Sequence, residues 1–194
     1  MFLMIDLVLK RSKDMEERAQ LLGVELEQIY EPKNHQKGSG LIVRADKIRE
    51  VSLARKFARN ASFVVADSTE EKTIRYIMEQ SWIQFFTNIE TSTGRDHTHY
   101  RRSNFNQVLA KLARDTKKVY VVDFSHILNI TGRKRAILLG RIMQNIRICD
   151  KFKVPVTIAS FASNKHELRN PEDLKAFLRA LKTKKLVDIE KMIK

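Results

Sequence analysis

Seven short apolar runs recur along the chain, and most are followed by a longer segment whose apolar residues have helical spacing. The runs are apolar almost throughout, a pattern typical of strands that are buried on both faces of a parallel sheet. They are FLMIDLVL, VELEQIY, LIVRA, FVVADS, IQFFTNI, VYVVDFS and VPVTIAS. The alternation predicts an α/β fold, and both a closed (β/α) barrel and an open doubly wound sheet satisfy it.

Amphipathic segments between and after these runs predict helices. They cover residues 14–22, 46–58, 69–80, 104–114, 133–152 and 171–181. The last of these begins at Asn170 and Pro171, where an N-cap amide and a proline at the first helical position are expected. The final stretch, AFLRALKTKKLVDIEKMIK, reads as helix throughout, so the pattern yields no eighth strand.

The chain has 194 residues, 43% of them hydrophobic, which fits a single folded domain over residues 1–194. Thirty-seven Lys and Arg against 23 Asp and Glu give a net charge of +14. A charge of this size favours a polyanionic partner, and nucleic acid is the first candidate.

Other features restrict the compartment and the chemistry. The lone cysteine, Cys149, lies in an apolar helical pattern, which predicts a buried thiol in a reducing compartment. The apolar start, MFLMIDLVLK, is too short to span a bilayer and lacks the features of a signal peptide, so we expect a cytoplasmic protein with no membrane partner. No glycine-rich phosphate loop is present, which argues against a nucleotide cofactor.

Three basic loops follow the last three predicted strands, where functional groups of parallel α/β folds gather. Their polar residues are Arg95, Asp96, His97, His99, Tyr100, Arg101 and Arg102 in the first, Arg133, Lys134 and Arg135 in the second, and Lys165, His166 and Arg169 in the third. In a barrel, all three loops would share one face. Guanidinium groups bind phosphates in bidentate fashion and stack on bases, which favours RNA.

Carboxylates and histidines allow a different interpretation. Asp96, His97 and His99 are spaced so that they could ligate a metal, as in a metal-dependent phosphoesterase, although a polar or RNA-facing loop is the simpler interpretation. Asp67 and Asp123, at predicted strand ends, are expected to cap helices or pair with arginine. On the helix over 133–152, the apolar stripe predicts a buried face. The residues predicted to face solvent are Arg141, Arg147 and Lys151.

Two adjoining segments, RKRAILLGRIMQNIRICDKFKV and VTIASFASNKHELRNPEDL, resemble the archaeal ribonuclease P protein component 3 family. The matching residues are Arg135, Ala136, Leu138, Leu139, Lys151, Phe152, Lys153, Val154, Ser160, Ala162, Lys165, Arg169, Pro171, Asp173 and Leu174. Weaker agreement upstream includes IRY at residues 74–76 and VLAKL at residues 108–112.

This resemblance implies a TIM-like (β/α) barrel of seven or eight mostly parallel strands, similar to the polymerase and histidinol phosphatase barrels. It implies a protein subunit of ribonuclease P, an endonuclease that matures the 5′ end of precursor tRNA and whose RNA carries the catalysis. The expected partners are ribonuclease P RNA, a Pop5-type subunit and other ribonuclease P proteins, with precursor tRNA contacted indirectly. The family also implies that the RNA largely holds Mg²⁺, so we expect no catalytic residue, metal or cofactor in this chain.

Family motifs and charge placement together predict the RNA-binding residues. Those that the motifs supply are Arg75, Lys111, Arg135, Lys165 and Arg169, and those in exposed basic loops are Arg95, Arg101, Arg102, Arg133 and Lys134. For Arg169, a structural role, in which it locks its loop through Glu167 or Asp173, is an equal alternative. For the whole chain, a free-standing phosphoesterase and a scaffold that touches only protein remain the competing hypotheses.

Overall fold

The structure, a computed structural model, describes residues 4–91, 94–96 and 100–193. Within these residues, seven parallel strands lie side by side in chain order. They are β1 (Met4–Val8), β2 (Val24–Tyr30), β3 (Gly40–Arg44), β4 (Val64–Asp67), β5 (Phe85–Thr87), β6 (Val119–Asp123) and β7 (Val156–Ala159). The strands form a nearly closed barrel, which confirms the TIM-like α/β fold.

Helices surround the barrel. They are α1 (Lys13–Leu22), α2 (Ile48–Ala58), α3 (Glu71–Glu79), α4 (Gln107–Asp115), α5 (Phe124–Asn129), α6 (Gly132–Phe152), α7 (Pro171–Ala180) and α8 (Glu190–Ile193). Helix α7 begins as predicted, because the Asn170 side chain accepts a hydrogen bond of 2.8 Å from the Glu172 amide and Pro171 follows it. None of the described helices is both long and apolar enough to cross a bilayer.

Except in β2, where Glu25 is exposed, both faces of the strands are mostly buried, which explains why their segments are apolar almost throughout. Side chains that include Leu7, Ile42, Val65 and Phe85 pack together inside the barrel. The residues that alternate with them pack outward beneath the helices. Cys149 belongs to the largest of these outer clusters and is fully buried, as predicted.

The gap between β7 and β1 closes in two ways. At the carboxyl end, the amides of Phe161 and Leu9 donate to the carbonyls of Leu7 and Ala162, at 2.8 and 2.9 Å. At the amino end, residues 185–190 lie between the two strands: the Val187 amide donates to Val156 at 3.0 Å. The prediction of continuous helix to the end of the chain is therefore wrong for residues 183–189, which separate α7 from α8. This segment hydrogen-bonds with Val156 at the edge of β7, where an eighth strand would otherwise pair.

Candidate nucleic-acid interface

The loops after β5, β6 and β7 meet at the carboxyl end of the barrel, as expected for neighbouring parallel strands. The Ser125 amide donates to the Ser160 carbonyl at 2.9 Å, which joins the second loop to the third. The Arg101 amide donates to Gln144 Oε1 at 2.8 Å, which joins the first loop to α6. The sequence prediction that these loops share one face is therefore confirmed.

Asp96 organises the loop after β5. Its carboxylate accepts from the Arg102 amide at 2.9 Å and from Arg141 Nε at 2.8 Å, and it lies 3.3 Å from an Arg101 nitrogen. Burial by itself would raise the pKa of Asp96, but the hydrogen bonds from Arg102 and Arg141 outweigh burial and lower the pKa. Asp96 is therefore held as an anion by three donors from this chain.

Arg141 is the anchor beneath this loop. It is only 6% exposed, and its guanidinium also donates to the carbonyls of Glu90 at 3.2 Å and Gly94 at 2.6 Å. The prediction that Arg141 faces solvent is therefore wrong. The charge of Arg141 predicted an exposed side chain, but a guanidinium can be buried where a carboxylate and several carbonyls accept its hydrogen bonds. Arg147 and Lys151 are exposed as predicted.

A buried polar network continues from this anchor into the barrel wall. The Tyr120 hydroxyl donates to Glu90 Oε2 at 2.8 Å, and Asn145 Nδ2 lies 3.5 Å from the same oxygen. Ser103 donates to Asn145 Oδ1. Burial raises the pKa of Glu90 to about 7, although the Tyr120 hydrogen bond opposes this shift. The network fixes the base of the loop that carries Arg95, Arg101 and Arg102.

Of the three loop arginines, Arg101 and Arg102 pack closely against glycines. Arg101 lies against Gly140 of α6 and Arg102 against Gly94, positions where a larger residue would collide with the guanidinium group. Arg95 is exposed and has no ion-pair partner within the described part of the chain. Arg101 therefore lies beside the middle of α6, where its amide also bonds Gln144, and Arg95 and Arg102 belong to the same loop.

The start of α6 contributes two further cations. Arg133 and Lys134 are exposed in the first turn, which contains no acidic residue, and the N-cap residue Thr131 makes no side-chain capping bond. Positive side chains at a helix N-terminus are unfavourable with respect to the helix dipole, unlike anions there. Arg95, Arg101 and Arg102 belong to the loop that packs on the middle of α6; we call these three, with Arg133 and Lys134 of the first turn of α6, the loop surface.

Arg135 and Arg169 have structural contacts instead. Arg135 donates to the Leu128 carbonyl at 2.9 Å and also to Ile130, which fixes the turn between α5 and α6. Arg169 donates to the carbonyls of His166 and Leu168, each at 2.7 Å, and its guanidinium lies 5.8 Å from the centre of the Phe124 ring. The structure thus favours the loop-locking alternative for Arg169, through carbonyls rather than Glu167 or Asp173.

The remaining predicted cations are dispersed. Lys165 is exposed in the third loop, 3.8 Å from Asp14, whereas Arg75 lies on α3, 3.4 Å from Glu79. Lys111 lies on α4 with its ammonium 5.9 Å from the centre of the Phe152 ring. Arg75 and Lys111 are on the helical exterior, so the structure does not bring them together with the loop surface.

Carboxylates line the mouth of the barrel. Asn88 Nδ2 lies 3.1 Å from Asp67 and 3.4 Å from Asp123, and Arg44 lies 3.4 Å from Asp67. Asp123 also caps α5 by accepting from the His126 amide at 2.9 Å. Burial raises the pKa of both carboxyls, that of Asp123 to about 6. The prediction that Asp67 and Asp123 pair with arginine or cap helices is confirmed.

The metal hypothesis concerns residues that are only partly described. His97 and His99 lie outside the described residues, and Asp96 already accepts hydrogen bonds from three donors. Among the residues that are described, no group of three or more His, Cys, Asp or Glu side chains is arranged to hold a metal ion.

Comparisons with known proteins point to one family. A family model described as RNase P subunit p30 matches residues 10–187. The ribonuclease P protein component 3 of Methanocaldococcus jannaschii is 28% identical over 144 residues, which are 74% of this chain and 59% of that protein. The protein of the same name from Methanosarcina mazei is 30% identical over 77 residues, 40% of this chain and 32% of that protein.

A solved structure shares the fold. A chain of the cryo-EM structure of archaeal ribonuclease P with mature tRNA superposes with a TM-score of 0.65 at 24% identity, covering 93% of this chain and 72% of that one. The present chain matches about three fifths of the length of the Methanocaldococcus relative.

Proposed function

Because the chain belongs to the RNase P subunit p30 family, we propose that it is a protein subunit of ribonuclease P that binds the catalytic RNA and promotes 5′ maturation of precursor tRNA. The family match over residues 10–187 carries this proposal. The net charge of +14 supports it independently, since a polyanionic partner offsets the mutual repulsion of these cations.

The loop surface is the proposed RNA contact. Arg95, Arg133 and Lys134 have no ion-pair partner in the described residues and are exposed, so their charges are available to phosphates. Arg101 shares Asp96 with Arg141 and keeps about half of its side chain exposed (48%). Arg135 fixes the turn beside Arg133 and Lys134, and Arg169 fixes the third loop, which carries Lys165. Lys165, 3.8 Å from Asp14, contributes at the edge.

The proposal includes partners and metal chemistry. A Pop5-type subunit and other ribonuclease P proteins are the protein partners, by similarity to the family, and the cytoplasm is the expected compartment. Mg²⁺ is held by the RNA and not by this chain. The occupied oxygens of Asp96 support this division, because two arginine side chains and a backbone amide already contact them. Stoichiometric metal in the purified chain, measured by elemental analysis, would contradict it.

A charge-removal variant tests the loop surface. In the loop triple, Arg95, Arg133 and Lys134 are each replaced by Gln. If each binds one phosphate, the slope of log affinity against log salt concentration for ribonuclease P RNA should fall by about 2 to 3, at about 0.7 to 0.9 per contact. Filter binding at several salt concentrations measures the slope.

The matched control removes three exposed cations from elsewhere. In the control triple, Arg114, Lys117 and Arg179 are replaced by Gln; Arg114 lies 2.7 Å from Asp115 and Arg179 lies 3.9 Å from Glu172. We expect its slope to stay near that of the original chain. Equal slopes for the two triples would show that only net charge matters and that the loop surface is not the contact. If the chain has no measurable RNA affinity, the remaining hypothesis is a scaffold that contacts only protein.

A further inference from the structure

A second group of unpaired cations lies on α2, on the outside of the barrel. Arg49, Arg55, Lys56 and Arg59 are all exposed on or directly after this helix. Their spacing places them on the solvent face, because Val51 and Ala54 occupy the buried face. Over the 11 residues of α2, the cations extend along roughly 16 Å of helix.

The protein itself compensates these charges little, although the Lys56 ammonium lies 4.9 Å from the centre of the Phe57 ring. No carboxylate in the described chain forms an ion pair with any of the four, whereas Arg75 on the adjacent α3 pairs with Glu79 at 3.4 Å. Arg55 and Arg59 are four residues apart, a spacing at which like charges on a helix repel each other. The helix dipole favours cations near the C-terminus but disfavours Arg49 in the first turn. The dipole thus stabilises Arg55, Lys56 and Arg59, and what distinguishes the cluster is that no carboxylate of the described chain pairs with it.

The neighbouring connection extends the same basic surface. Residues 31–39, between β2 and β3, contain only a short 3₁₀ turn, Pro32–Asn34, where other connections of the barrel carry an α-helix. The Gly38 amide donates to the Asn60 carbonyl at 2.7 Å, which attaches this connection to the end of α2. Lys33 and Lys37 are exposed on it. The side of α2 away from α3 is thus bordered by a basic loop rather than by a packed helix.

The solvent face of α2 also exposes apolar surface between its cations. Leu53 is 58% exposed and Ile48 is 43% exposed. A convex helix whose exposed side carries several arginines suits the phosphates and riboses of a structured RNA, which are recognised by shape and backbone rather than by base sequence.

We propose that Arg49, Arg55, Lys56 and Arg59 of α2, with Lys33 and Lys37 of the β2–β3 connection, form a second RNA-contact surface, the α2 surface. It binds the sugar-phosphate backbone of an RNA helix, while the loop surface contacts a separate part of the RNA. This inference rests on the proposed function, since it requires that the chain bind ribonuclease P RNA at all. Two surfaces on different sides of the barrel would allow the chain to bridge separate RNA segments.

The test is an α2 triple in which Arg49, Arg55 and Arg59 are replaced by Gln, a good helix former. Its binding to ribonuclease P RNA is compared with that of the original chain, the loop triple and the control triple over the same salt range. We expect the salt slope to fall by about 2 to 3, as for three lost phosphate contacts. The control triple, with the same loss of charge, should retain its slope. Circular dichroism of each variant establishes that the barrel is intact.

The outcomes separate the inference from the proposed function. If the original chain binds RNA and the α2 triple matches the control triple, the α2 surface is not an RNA contact. If the α2 triple binds RNA normally but loses a ribonuclease P protein partner, the surface is a protein interface and the inference is wrong. If the original chain itself shows no RNA affinity, the proposed function fails, and the inference fails with it.

Discussion

Arg141 holds the loop after β5 to α6 with one guanidinium group. It contacts Asp96 and the carbonyls of Glu90 and Gly94, so its removal takes a donor from both carbonyls, while Asp96 keeps its bonds from Arg101 and Arg102. We predict that Arg141→Gln lowers the free energy of unfolding by about 1 to 3 kcal/mol, the cost of leaving buried acceptors without a partner. Denaturant unfolding measures this change.

Arg147 provides the comparison on the same helix. Its side chain is exposed, so Arg147→Gln should change the free energy of unfolding by no more than about 0.5 kcal/mol. Similar losses for both variants would mean that the contacts of Arg141 do not stabilise the fold.

Glu90 should make stability depend on pH. Burial raises its pKa from 4.5 to about 7, so the folded state binds this proton more tightly than the unfolded state. The stabilisation is complete below about pH 4.5 and is lost as the pH rises through about 7, with a total of roughly 3 kcal/mol at 1.36 kcal/mol per pKa unit. Asp6 and Asp123, each with a pKa raised to about 6 by burial, act in the same direction.

We therefore predict that Glu90→Gln flattens this pH dependence. The amide can still accept the Tyr120 hydroxyl and carries no charge to be buried, so the variant should lose less stability between about pH 4.5 and about pH 7. Denaturant unfolding at several pH values in this range measures the free energy of unfolding. The control is Glu17→Gln, at an exposed glutamate. A variant whose stability falls as steeply as that of the original chain would show that Glu90 does not titrate in this window.

At the scale of elements, the segment over residues 185–190 completes the barrel. Ile189 is 5% exposed and packs into the cluster inside the barrel, and Glu190 Oε1 accepts from the Ile5 amide at 2.7 Å. We predict that Ile189→Ala costs about 2 to 4 kcal/mol of stability, the range for large-to-small substitutions in a core. Met192, 37% exposed, should tolerate alanine far better. Equal melting temperatures for the two variants would contradict a closing role for this segment.

The strands of the barrel could be predicted because a strand buried on both faces is an apolar run, whichever side chains it contacts. Residues 185–190 could not, since LVDIE has apolar spacing compatible with helix, and its extended form depends on pairing with β7, more than 25 residues away. The loop surface was predictable from arginine clustering after the strands. The burial of Arg141 was not, although its position three residues after Leu138 and four before Asn145 aligns it with the buried face.

At the scale of the whole molecule, the cations fall into those that hold the fold and those that remain free. Arg135, Arg141 and Arg169 are committed to carbonyls or carboxylates of this chain. Apart from Arg101, which pairs with Asp96, the loop surface and the α2 surface carry charges that form no ion pair in the described chain, and they lie on different sides of the barrel. A catalytic RNA is the proposed ligand for both, and the barrel acts as a rigid support that sets their separation.

Reconstituted cleavage of precursor tRNA tests the central claim most directly. Ribonuclease P RNA and the other protein subunits are assembled with and without this chain, and the chain is also incubated with precursor tRNA alone. We predict that omission of the chain lowers cleavage at the 5′ end of precursor tRNA and that the chain alone does not cleave it. Cleavage that is unchanged without the chain, or hydrolysis by the chain without RNA, would contradict it.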